Sequence, residues 1–215
     1  MELINFIQNK LESIYGIKLG TSANDYLIEH HELSELLPQN QKTSVPKELF
    51  LVNPNPQDDT LEIALFLDPE LKYNLSQNNP LKILNDSNLS DFCILIEGIS
   101  HFVYYLHKAS LDFEITELEM ELQAEIDKFI LLTIMTENNN ISSKQIIDIL
   151  FEDYLLHKNL SEEQIERYHT ASNLARKYCF TLSKQIKQNT LKDTLKDVRR
   201  FYPLTQEQKI KEILN

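Results

Sequence analysis

Glu97 and His101 stand four residues apart in the most apolar stretch of the chain, SDFCILIEGISHFVYYLHKAS. At that spacing they share one face of a helix. A buried charge without a partner costs on the order of several kcal/mol, so each must find one. The next helical segment, TELEMELQAEIDKFILLTIM, supplies candidates. If the two helices turn back near Phe113, His101 lies twelve residues before the bend and Glu125 twelve after it, at the same height. On a helical wheel Leu118, Leu122, Ile126 and Phe129 centre the apolar sector, with Glu125 at its edge and Glu121 one step further out. The spacing thus predicts a cluster of Glu97, His101 and Glu125 with Glu121 near its mouth. Gly98 adjoins it, and a mid-helix glycine costs about 1 kcal/mol against alanine, which implies a close approach by another backbone or a ligand. Tyr104 and Tyr105 follow a turn later, with hydroxyls in reach of the same cluster.

Three chemistries fit these residues. One imidazole with two or three carboxylates is a ligand set suited to zinc, iron or manganese. The spacing departs from known catalytic patterns: helical di-iron proteins place Glu and His at i,i+3, here i,i+4. In an HExxH zinc peptidase the first two positions are His and Glu, where this chain has Glu97 and Gly98. An acid–base pair of His101 and a carboxylate is the second option, with Ser100 as its one neighbouring nucleophile. The third is structural, a histidine bridged to carboxylates that fixes helix packing. The composition narrows the field further. Gly16, Gly20 and Gly98 are the only glycines among 215 residues, so a Walker phosphate loop, a GxGxxG turn and a GxSxG elbow are all excluded.

Other polar residues carry weaker signals. Arg199, Arg200 and Tyr202, just ahead of Pro203, form a candidate docking point for an anion or a partner. Basic residues and aromatic anchors at a helix end serve equally as structure. His30 and His31 lie in an acidic stretch, and His107, His157 and His169 are isolated. Cys93 and Cys179 sit in apolar helical patterns, as reduced core thiols do. The net charge of −12 argues against coating nucleic acid. It is unevenly spread: residues 171–215 carry ten Lys or Arg against four acids, a net of +6, which leaves −18 on residues 1–170. Lysines interleaved with acids in TLKDTLKDVRRFY read as a basic helix docking on the acidic body rather than as a nucleic-acid tail.

These residues need elements to position them. Leu3, Ile4, Phe6, Ile7 and Leu11 make one face of a first helix, with Gly16 and Gly20 as its punctuation. DYLIE reads as a short strand and HELSELL as a helical turn ended by Pro38, followed by the polar linker QNQKTSVPK. ELFLV and TLEIALFLD are strands around the turn NPNPQDD, the second alternating Leu61, Ile63, Leu65 and Leu67. Short helical turns fill the stretch from Asp68 to Asn85. From Ser90 onward the pattern is helical. Thr116 with Glu119 opens the second long helix, and the asparagines at 138–140 break it. Ser142 or Ser143 starts a third helix with Ile146, Ile149, Leu150, Tyr154 and Leu155 as its apolar face. Ser161 with Gln164 opens the longest, whose seam is Ile165, Tyr168, Ser172, Ala175, Cys179, Leu182 and Ile186. Two shorter helices follow, the last opened by Thr205 and Gln208. The expectation is an α+β protein, predominantly α: a small antiparallel sheet with short helices over 1–85, then a helical bundle over 86–215, together one compact unit.

The segments EGISHFVYYL, ITELEMELQAEIDKF, ERYHTASNLARKYC and VRRFYPLTQEQKIKEI resemble an uncharacterised family of bacterial proteins without an established activity. The resemblance covers residues 90–215 well and the rest loosely. It implies a cytoplasmic bacterial protein and carries no function. The amino terminus lacks the basic-then-apolar pattern of a secretory signal, and no uninterrupted apolar run reaches the roughly 18 residues that span a bilayer. The sequence reading is therefore a cytoplasmic accessory or regulatory protein that binds other proteins, without catalytic activity, cofactor or membrane role. The alternative is a divalent-metal-binding protein or metal-dependent hydrolase that uses Glu97, His101, Glu125 and Glu121.

Overall fold

A computed structural model describes residues 2–37, 45–55, 60–137, 141–152, 161–188 and 191–215. The amino-terminal part contains α1 (Glu2–Tyr15), a 3₁₀ turn (Ala23–Tyr26), β1 (Leu27–Ile28), α2 (His30–Leu36), β2 (Glu48–Asn55), β3 (Thr60–Leu67) and α3 (Pro69–Gln77). Among the described residues six further helices follow: α4 (Leu89–Ala109), α5 (Glu117–Thr136), α6 (Ser143–Phe151), α7 (Glu162–Gln188), α8 (Leu191–Phe201) and α9 (Gln206–Leu214). The protein is α+β and predominantly α.

The sheet is mixed rather than antiparallel, with strand order β1-β3-β2. β2 and β3 form the expected hairpin, Glu48 opposite Leu67 and Phe50 opposite Leu65. β1 runs parallel to β3, Leu27 beside Leu65. The chain leaves β1 for the far edge of the sheet and returns through its middle, so the returning strand points the same way as β1. The NPNPQDD turn falls partly outside the described residues, as 56–59 are, and so does most of the QNQKTSVPK linker with Pro38.

Helix starts follow side-chain chemistry. Thr116 accepts from the Glu119 amide, and Ser142 with Gln145 and Thr205 with Gln208 form reciprocal capping boxes. Asp68 caps α3, whose first residue is Pro69. Gly16 and Gly20 take positive φ of 69° and 76°, the left-handed conformation that glycine adopts without a Cβ penalty. Asn138, Asn139 and Asn140 lie outside the described residues, as do Tyr154 and Leu155 of the predicted α6 face. Ile149 of that face is exposed.

Helix α4 is long and apolar enough to cross a membrane by length and composition. In this fold it is the central helix, packed against α1, α5 and strands β2 and β3. The buried side of α1, with Ile4, Ile7 and Leu11, joins Phe92, Leu95, Ile99 and Phe102 of α4 in one apolar cluster. Helix α5 runs antiparallel to α4 and contacts α7 on another side. Helix α7 buries Ala171, Leu174, Ala175, Tyr178, Cys179 and Leu182, a wider face than the narrow seam expected, because α5, α6, α8 and α9 all pack on it.

Candidate functional site

Helix α4 aims Glu97 and His101 at α5, one turn apart, and β2 brings Glu48 to the same place from the sheet. Glu48 fits because residue 98 is glycine: a Cβ there would lie 2.7 Å from Glu48 Cγ and 3.2 Å from Leu65 Cδ1. The close approach inferred at Gly98 is therefore made by side chains of β2 and β3.

The imidazole of His101 lies between two carboxylates. Nδ1 is 3.5 Å from Glu48 Oε1, and Nε2 is 3.6 Å from Glu121 Oε2. Both distances are longer than a good hydrogen bond. His101 Nε2 and Glu48 Oε1 are buried and make no hydrogen bond. Burial disfavours the imidazolium, but Glu121 and Glu48 outweigh it and hold the His101 pKa well above its usual value. Burial lifts the Glu48 carboxyl in turn, against the pull of His101.

One ligand atom each from Glu97, His101 and Glu121 lies within 4.8 Å of the others. Glu125 belongs to a neighbouring pairing: Lys128 Nζ is 2.7 Å from Glu125 Oε1 and 2.9 Å from Glu97 Oε2. The antiparallel register thus sets Glu121, one turn earlier than Glu125, opposite the imidazole. Burial raises the Glu125 carboxyl in spite of Lys128, while Glu125 and Glu97 raise the Lys128 ammonium despite its own burial. Glu48, Glu97, Glu121 and Glu125 bring four carboxylates to ion pairs with two cationic side chains, Lys128 and His101. Even with His101 protonated, negative charge is in excess.

This cluster forms the floor of a cavity of about 260 Å³, walled by Phe50, Ile94 and Met120 and by Gln164, Arg167 and Tyr168 of α7. The Tyr168 hydroxyl is lifted far above the usual phenol range, by burial first and then by Glu121, Glu97 and Glu48. Glu48, Lys128, Arg167 and Tyr168 escape the sequence reading. Lys128 had a signal, a charged residue inside the apolar run IDKFILL. The other three arrive from β2 and α7, elements whose placement around the cavity has no local signature.

Tyr104 and Tyr105 do not reach the cluster. Tyr105 packs on Phe50 with ring centroids 5.6 Å apart. Tyr104 enters a second buried polar network that the sequence reading did not anticipate. Its hydroxyl donates to Glu119 and receives Lys209 Nζ at 2.9 Å. Lys209 also donates to Gln123 Oε1 at 2.7 Å, and Gln123 donates to Asp127, which further accepts from Ser100 and Tyr15. Lys108 donates to the carbonyls of Pro203 and Leu204 and pairs with Glu119 at 3.0 Å. Ser100 therefore bonds to Asp127 and belongs to this second network rather than to the imidazole's partners.

The arginines of α8 are engaged within the fold. Arg199 donates to the carbonyls of Ile14 and Ser13 at the end of α1, and Arg200 makes a two-pronged pair with Glu212 of α9. Tyr202 is buried, stacked on Tyr15 at 3.6 Å between centroids. These three residues fasten α8 to α1 and α9. Cys93 and Cys179 are both free thiols, and burial pushes that of Cys93 up to about 12.

Comparison with models of protein families, with curated proteins and with solved structures finds no match to this chain.

Proposed function

We propose that this protein binds a divalent transition-metal ion through Glu97, His101 and Glu121, and that the cavity above them receives a small molecule. The observation that carries the proposal is the buried His101 Nε2, which makes no hydrogen bond and faces two carboxylates at the floor of that cavity. One imidazole and two carboxylates suit zinc, iron(II) or manganese. Glu48 stands at the other ring nitrogen, where a carboxylate accepting from Nδ1–H would orient the ring and raise its basicity. Lys128 offsets one of the two charges of Glu97 and Glu125, and His101 stands alone against Glu48 and Glu121, so excess negative charge remains for a cation to answer.

Three protein ligands leave coordination positions open, and they would face the cavity. A metal held there supplies a Lewis acid and a water of lowered pKa, which makes hydrolysis the reaction class best accommodated. The chain's own part is to orient the imidazole through Glu48, hold Glu97 through Lys128 and screen the site with Phe50, Ile94 and Met120.

Elemental analysis of protein purified without chelator, followed by calorimetric titration with Zn²⁺ and Mn²⁺, tests the proposal. Near-stoichiometric binding that weakens at least tenfold in His101→Ala and Glu121→Gln is expected. A wild-type protein that takes up neither ion, with a His101→Ala variant altered only in its melting temperature, would return the cluster to a structural role. The accessory protein without catalytic activity would then be the better proposal.

A further inference from the structure

Arg167 carries an inference about what enters the cavity, and it rests on the metal reading above. Among the described residues it is the only lysine or arginine lining that cavity. One end of its guanidinium, Nη1, pairs with the exposed Glu117. Its Nε is buried and makes no hydrogen bond. A buried N–H without an acceptor is unfavourable, and the planar edge of a guanidinium matches the two oxygens of a carboxylate or phosphate.

We infer that the cavity binds a small oxyanion, the carboxylate or phosphate of a small molecule, seated between the metal on its floor and Arg167 on its wall. The carboxylates of Glu48, Glu97 and Glu121 would repel an anion that met Arg167 alone. A divalent ion on the floor reverses the local sign, so metal and anion binding are coupled in the same direction. At about 260 Å³ the space falls below the range of pockets that enclose drug-sized ligands. A free phosphate or a short carboxylic acid fits, and its apolar part would rest on Phe50 and Met120.

The test begins with Zn²⁺ and Mn²⁺ titration of wild type and of Arg167→Gln, then titrates the loaded proteins with inorganic phosphate and, separately, succinate. The variant is expected to bind metal as wild type does, because Arg167 is not a ligand. Oxyanion affinity is expected to fall at least tenfold in Arg167→Gln and at least tenfold in wild type stripped of metal. Arg167→Lys, which keeps the charge but loses the Nε donor, is expected to lie between. The tighter of the two probes identifies the headgroup. If metal binds but neither probe does at about 10 mM, or if Arg167→Gln binds both as wild type does, the oxyanion assignment fails while the metal reading stands. If neither ion binds, both fail.

Discussion

Replacing Gly98 with alanine sets two opposed effects against each other. Alanine in mid-helix is favoured over glycine by about 1 kcal/mol, and on that ground alone the variant should be more stable. Against this, the new Cβ would lie 2.7 Å from Glu48 Cγ, 3.1 Å from its Oε1 and 3.2 Å from Leu65 Cδ1. Cγ is only two bonds from the backbone of a residue held opposite Leu67 in the hairpin, so it cannot swing away as a chain end would. Forcing an extra methyl into a filled contact costs about 1–3 kcal/mol. The clash wins, and a net loss of about 1 kcal/mol is expected, read as a melting temperature lower by about 2–4 °C for a chain of this length. The cycle with Glu48→Ala isolates the cause. Once Cγ is gone, Gly98→Ala is expected to stabilise by about 0.5–1 kcal/mol, a coupling of about 2 kcal/mol between the two sites. Urea denaturation of the four proteins in chelator measures it. Zero coupling, with Gly98→Ala equally stabilising in both backgrounds, would refute the idea that the glycine exists to admit Glu48. A second readout bears on the proposed function: Gly98→Ala displaces the Glu48 carboxylate beside His101 Nδ1, so if that carboxylate orients the ring as proposed, metal affinity is expected to fall about 10–100-fold.

Lys128→Met leaves Glu97 and Glu125 facing one another without their shared cation, an expected loss of about 3–5 kcal/mol by denaturant titration, partly recovered by added Zn²⁺. A variant as stable as wild type would remove Lys128 from the account of the site. Lys209 reports on the second network. Burial, opposed by Glu119 and Asp127 and aided by Lys108, lowers its pKa to about 7. Tyr104 and Gln123 bond to the ammonium, and the rings of Phe201 and Tyr202 pack beside it. Between about 7 and the unfolded value of about 10.4 the unfolded chain holds the extra proton, so this group adds stability as pH rises through that window. Lys209→Met is expected to flatten the rise. An identical pH profile for the variant would assign the dependence to other groups.

The elements were largely legible in the residues. Thr116, Ser142, Ser161 and Thr205 announce helix starts because a cap is a contact between neighbours in sequence. The β2–β3 hairpin was legible through the alternation of Leu61, Ile63, Leu65 and Leu67. The parallel placement of β1 was not, since a two-residue strand carries no trace of which neighbour it will pair with. Glu97 and His101 stood out because charge in an apolar helix must be answered, but the bend at residues 110–116 shifts the facing residue from Glu125 to Glu121. Lys108, Asp127 and Lys209 show the same limit, for each is satisfied by residues far along the chain.

What the sequence determines by itself is local: which stretches coil, where they begin, and that a glutamate and a histidine must share a buried face. Helical period, capping and the cost of an unanswered charge act over a few residues and can be read there. The tertiary structure decides which groups answer them. Glu48 from the sheet and Glu121 from one helix meet His101, and Arg167 from another joins them around one cavity, only when the elements pack. That convergence depends on register and on a glycine-sized gap, both of which involve residues distant in sequence.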